Sequence, residues 1–127
     1  MIFVVDDSPT DIELTTIALE ATGREISVRT ATDGNSVLGM LRNGNRLPDL
    51  ILLDLKMPCM DGIEVLREIR SNDRFREIPV VMVTSSSLES DKTEAMAAGA
   101  NDFLEKPLAL ERFSKDLESV LHRWLPY

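Results

Sequence analysis

Four short runs in this 127-residue chain, three of them wholly apolar, lead directly into residues that can do chemistry. IFVV (2–5) is followed by Asp6 and Asp7, LILL (50–53) by Asp54, and VVMV (80–83) by Thr84 and Ser85. The weaker run FLEK (103–106) ends in Lys106, ahead of Pro107. If the fold gathers these run ends, three carboxylates, a hydroxyl and an ammonium meet. Crowded carboxylates raise one another's pKa values and need a cation to offset them. Lys106 supplies one positive charge. A hard divalent cation, Mg2+ or Mn2+, would supply more, because such ions favour carboxylate and carbonyl oxygens. An ion held there would also accept phosphoryl oxygens and neutralise charge during phosphoryl transfer.

Each residue alone has a plain structural explanation. Asp6 and Asp7 precede a helical pattern, where acids suit the helix dipole. Yet Ser8 already reads as the N-cap, with Pro9 at the first helical position and Asp11 at the third. Asp54 could end a strand, Thr84 could cap a turn, and Lys106 could be a solvated lysine. The weight lies in their joint placement at four run ends.

The elements that must position them follow from the pattern. Short continuous aliphatic runs are how strands buried on both faces read. ISVRT (26–30) alternates, as an edge strand would. Helical patterns fall between the runs. The first carries Leu14, Ile17, Ala18 and Ala21 and stops at Gly23. The second covers 35–43 with Val37, Leu38 and Leu41 inward. The third opens at Gly62 with Ile63, Leu66 and Ile69 on one face. The fourth, about 89–98, is Ala-rich and short of large apolar residues. The fifth places Leu110, Phe113, Leu117, Val120, Leu121 and Trp124 at helical spacing. Five strand–helix units with right-handed crossovers give a doubly wound parallel sheet covered on both faces. In such sheets the sites lie at the carboxyl ends of the strands.

The bulk numbers agree with one domain spanning 1–127. A net charge of −8 argues against direct nucleic-acid binding, which needs a basic surface. The start, MIFVVDDS, has neither the basic flank nor the long apolar stretch of a signal peptide, so the expected location is cytoplasmic, with no membrane insertion. Cys59 is the single cysteine, so no internal disulfide forms.

VVDDSP, LILLDLKMPCMDGIEVL, IPVVMVTSSS and GANDFLEKP together resemble the receiver domain of bacterial two-component response regulators. The resemblance runs through essentially the whole chain. It implies a flavodoxin-like, CheY-like (βα)5 fold with strand order 2-1-3-4-5. It implies a cytoplasmic signalling switch rather than a conventional enzyme, phosphorylated on Asp54 by a sensor histidine kinase or a phosphotransfer protein, with slow self-catalysed hydrolysis. Asp6, Asp7, Asp54 and the backbone carbonyl of Lys56 would hold Mg2+ or Mn2+. Lys106 would pair with the acceptor carboxylate and then with a phosphoryl oxygen. Thr84 and Phe103 would be the switch pair, and Pro107 would follow a cis peptide. Phosphorylation would remodel the face made by the fourth helix, fifth strand and fifth helix, which would meet a protein partner or a second copy. TSSS, GANDFLEKP and the Trp-Leu tail are similar to single-domain regulators that partner phytochrome-type kinases. No output domain is expected after LHRWLPY, which suits either a stand-alone regulator or an excised domain.

Lys56 and Ser86 occupy the two positions that tune phosphoryl lifetime in the family. Lys56 could fold back over the acid pocket or point outward. Phe103 lacks the hydroxyl of the Tyr often found at its position. Three other functions compete. A haloacid-dehalogenase-type phosphatase needs a second Asp two residues beyond the first, where this chain has Lys56. A flavodoxin-type binder needs a Ser-, Thr- and Gly-rich phosphate loop, where this chain has DDSPTD. A scaffold that is never phosphorylated would not need Asp7, Asp54, Thr84 and Lys106 intact.

Overall fold

The computed structural model describes residues 1–86, 88–106 and 109–125. The elements run β1 (Ile2–Val5), α1 (Pro9–Glu20), β2 (Val28–Ala31), α2 (Gly34–Asn43), β3 (Leu50–Leu53), α3 (Gly62–Ser71), β4 (Val80–Thr84), α4 (Glu89–Ala97), β5 (Asp102–Glu105) and α5 (Leu110–Trp124). The strands form one parallel sheet in the order β2-β1-β3-β4-β5. This is the doubly wound topology expected from the sequence.

The aliphatic strands serve two cores at once. Phe3, Val5, Ile51, Leu53, Val80 and Met82 point to one face, where they meet Val37 and Leu41 of α2 and Ile63, Leu66 and Ile69 of α3. Ile2, Val4, Leu50, Leu52, Val81 and Val83 point to the other, against Ala18 and Leu19 of α1 and Phe113, Leu117 and Leu121 of α5. Every residue of β1, β3 and β4 is buried. Burial of each such side chain is worth about 1.5–3 kcal/mol, which makes the centre of the sheet the rigid part of the molecule.

The stripe on α1 differs from its apolar spacing. Leu14 and Ile17 stay 43% and 39% exposed, and the buried residues are Thr15, Ala18 and Leu19. Ala18 and Leu19 are the α1 residues that enter the core beside Ile2, Val4 and the α5 side chains, which leaves Leu14 and Ile17 on the outer face. Local capping sets the helix starts. Ser8 Oγ accepts the Asp11 N–H at 3.2 Å, Asp33 accepts from Ser36 at 2.7 Å, and Asp61 accepts from Glu64 at 3.0 Å. α4 has no side-chain cap at Leu88 and buries only Ala95 among its residues.

Register brings the strand ends to one edge. Val5 lies opposite Leu53, and Leu53 opposite Met82. Backbone bonds extend the ladder past the strands: Asp54 N–H to Val5 O at 2.8 Å, Asp6 N–H to Ala31 O at 3.1 Å, and Lys106 N–H to Thr84 O at 2.7 Å. Gly62 lets α3 start directly beneath this edge. A Cβ there would stand 2.2 Å from the Asp54 carbonyl oxygen. Its N–H instead donates to Leu55 O at 2.9 Å.

Candidate functional site

The edge carries a cluster of carboxylates around one ammonium. Asp6 and Asp54 are buried at the ends of β1 and β3, and Asp7 is exposed beside them. One carboxylate oxygen from each of Asp6, Asp7 and Asp54 lies within 4.8 Å of the others. Lys106 Nζ stands 2.6 Å from Asp6 Oδ2, 2.9 Å from Asp11 Oδ2 and 3.6 Å from Asp54 Oδ1. The second oxygen of Asp6 accepts the Ser8 N–H at 3.0 Å.

The electrostatics follow from burial and from sign. Burial pushes the Asp54 carboxyl up, Lys106 pulls it down, and Asp6 and Asp7 push it up again, so that it stands at about 6. Burial likewise works against the Lys106 ammonium. Its hydrogen bonds to Asp6 and Asp11 and the charges of Asp54 and Asp6 outweigh that cost and raise its pKa. Three carboxylates thus face one ammonium, with Asp7 beside them, leaving an excess of negative charge. Asp6, Asp7 and Asp54 are hard oxygen donors converging on one point, and this donor set fits Mg2+ or Mn2+.

The expected residues that the structure describes each have a definite place. Thr84 is buried at the end of β4, its Oγ1 accepting the Ser86 N–H at 3.2 Å. Ser85 is exposed. Phe103 is half-buried on β5 opposite Met82, beside a groove of ≈ 220 Å³ shared with Leu88, Glu89, Lys92 and Glu105. Lys56 points outward. Its exposed ammonium lies 3.7 Å from Asp91 Oδ1 on α4, its one ion pair among the described residues. Ser86 reaches the same carboxylate, donating to Asp91 Oδ2 at 2.5 Å. Cys59, exposed in the loop after β3, holds φ 68, a left-handed conformation uncommon outside glycine. Pro107 and its expected cis peptide lie outside the described residues.

Two members of this network were not expected from the sequence. Asp11 read only as a first-turn helix acid, yet it shares Lys106 with Asp6. Its signal was available: the first turn of α1 borders the strand edge, within reach of a cation there. Asp91 gave no such signal, because its partners depend on how α4 sits over the loops. A roomier groove, ≈ 730 Å³ and lined by Arg24, Lys115, Glu118, Ser119, His122 and Arg123, shares no residue with the cluster. The carboxylates and not that groove carry the convergent polar groups of a site.

Comparison with known proteins bears on this arrangement. The response regulator receiver domain family matches residues 2–118. The probable methanogenesis regulatory protein FilR2 of Methanothrix harundinacea (strain 6Ac) is 35% identical over 129 residues, spanning 98% of this chain and 83% of that protein. Other matched relatives are much longer, the chain spanning 14% of one and 23% of another. Among solved structures, the phosphorylated cyanobacterial phytochrome response regulator RcpA superposes with a TM-score of 0.88 at 34% identity, covering 98% of this chain and 92% of that one. The Mn2+-bound form of response regulator Rcp1 superposes with a TM-score of 0.85 at 32% identity, covering 98% and 93%.

Proposed function

The chain belongs to the response regulator receiver domain family, and on that premise we propose that Asp54 is the phosphoacceptor of its phosphorylation-activated signalling switch. The observation that supports this is the position of Asp54 itself. It ends the central strand, buried, with Lys106 at 3.6 Å and the oxygens of Asp6 and Asp7 within 4.8 Å.

An oxygen of Asp54 attacks the phosphorus of a phosphohistidine on a sensor histidine kinase or phosphotransfer protein. The P–N bond breaks, the imidazole leaves with a proton, and an aspartyl phosphate remains. Positioning and charge neutralisation make a weak carboxylate nucleophile effective. Asp6, Asp7, Asp54 and the Lys56 backbone carbonyl would hold Mg2+ or Mn2+, which would supply neutralisation of the phosphoryl charge. Lys106 is pre-set beside the acceptor by Asp6 and Asp11, and pairs with a phosphoryl oxygen once one is present. Thr84 gives its hydroxyl to the phosphoryl group, Phe103 follows inward, and the α4–β5–α5 face changes for a protein partner or a second copy. The lightly anchored α4 suits such movement. The same site slowly hydrolyses its own phosphoryl group.

The likeness to RcpA supports a phytochrome-type kinase as the donor. Residues 1–127 act as one receiver domain in the cytoplasm, and among the described residues no helix is long and apolar enough to cross a membrane. Incubation with acetyl phosphate and Mg2+, followed by intact mass measurement, tests the assignment. A phosphoryl adduct that requires Mg2+ and disappears in Asp54→Asn is expected. No adduct, or one untouched by Asp54→Asn, overturns it.

A further inference from the structure

We propose that Asp91, on the first turn of α4, is a positioning residue that holds the Lys56 ammonium away from the phosphorylation site and thereby sets the lifetime of the phosphorylated state. The inference rests on Asp54 being the acceptor and adds a residue outside the acid cluster.

The geometry is that of one carboxylate with two tethers. Oδ1 of Asp91 faces Lys56 Nζ at 3.7 Å, and Oδ2 accepts the Ser86 hydroxyl at 2.5 Å. Lys56 follows Asp54 by two residues on the same loop, so its long side chain needs only rotation to swing over the acceptor. Ser86 Oγ also accepts the Leu88 N–H at 3.3 Å, and the Ser86 N–H donates to Thr84 Oγ1 at 3.2 Å. Asp91 therefore joins the loops after β3 and β4 to a helix that has no side-chain cap of its own.

Hydrolysis needs a water in line with the Asp54 oxygen. That water's oxygen attacks phosphorus, the O–P bond to Asp54 breaks, and inorganic phosphate leaves. A free Lys56 ammonium pairs with the phosphoryl oxygens and stands in the solvent approach, so it slows this step. Asp91 competes for the same ammonium. Ion pairs this exposed favour the paired state by about twofold to fivefold, so freeing Lys56 lengthens the lifetime by a similar factor.

Asp91→Asn isolates the charge, because its amide oxygen still accepts from Ser86 while the ammonium loses its anion. The decay of acetyl-phosphate-labelled protein is followed by intact mass in the parent, Asp91→Asn, Asp91→Glu, Lys56→Met and the Lys56→Met, Asp91→Asn pair. Decay about twofold to fivefold slower in Asp91→Asn is expected, with the parent rate kept in Asp91→Glu. In the Lys56→Met background, Asp91→Asn should change nothing, which a merely structural role for Asp91 would not produce. Unchanged or faster decay in Asp91→Asn overturns the inference, as does an equal effect in the Lys56→Met background. A parent protein that takes no label overturns the Asp54 assignment, and this inference with it.

Discussion

Replacing Asp54 with Asn should stabilise the metal-free protein at neutral pH. Burial and the neighbouring Asp6 and Asp7 outweigh the attraction of Lys106, so the Asp54 carboxyl is pushed from an ordinary 3.8 to about 6. At about 1.4 kcal/mol per pH unit, the ionised carboxylate costs the fold on the order of 3 kcal/mol. The amide keeps the shape but must find its own hydrogen bonds, so a gain of about 1–3 kcal/mol is expected, or roughly 3–10 °C in Tm. The pH dependence follows from proton counts. Between pH 3.8 and about 6 the folded protein holds a proton on Asp54 that the unfolded chain has lost. Stability therefore falls as pH rises through that window. The advantage of Asp54→Asn should be full above about pH 6 and vanish below the unfolded value of 3.8. Urea unfolding of both proteins with a chelator present, at about pH 7.5 and again near pH 4, measures the difference. An equal difference at the two pH values, or a less stable variant at neutral pH, would refute the reasoning.

Mg2+ should raise the Tm of the parent protein, by about 2.7 kcal/mol of added stability at a hundredfold excess over Kd, and calorimetry of Asp7→Asn should show most of that gain lost. Lys106→Met should destabilise by about 2–4 kcal/mol in denaturant unfolding, because Asp6 and Asp54 are then buried without a counter-ion. Lys106 stands above its ordinary 10.5, so the stability it lends is complete below that value and lost as pH rises through its folded pKa. Asp11→Asn should cost only about 1 kcal/mol, since Asp6 still holds the ammonium, and should slow labelling by acetyl phosphate less than Lys106→Met does. Gly62→Ala should cost about 2 kcal/mol or more and slow labelling, because the new Cβ would press on the Asp54 carbonyl.

The chemistry-bearing residues were legible because the sheet converts strand order into spatial order. A run such as LILL has to be buried on both faces, and a parallel sheet with right-handed crossovers then sends the residue after each run to the same edge. Asp6, Asp54, Thr84 and Lys106 could be assigned to one place from run ends alone, and the structure brings them there. Capping by Ser8 was equally local, a matter of one hydroxyl and one N–H three residues apart.

Contacts made across elements were not legible, since they depend on how helices seat on the sheet. Leu14 and Ile17 satisfy a helical spacing but face outward, because α1 seats through Thr15, Ala18 and Leu19. Asp11 reaches Lys106 across 95 residues of chain. LILLDLKMP left the direction of Lys56 open, and no local pattern could settle it. Its partner, Asp91, lies on α4, and the pose of that helix puts its carboxylate between Lys56 and Ser86. Sequence thus determined which residues meet at the edge of the sheet. The tertiary packing of α1 and α4 decided which further charges hold them, because an ion pair depends on where a side chain ends in space rather than on its place in a pattern.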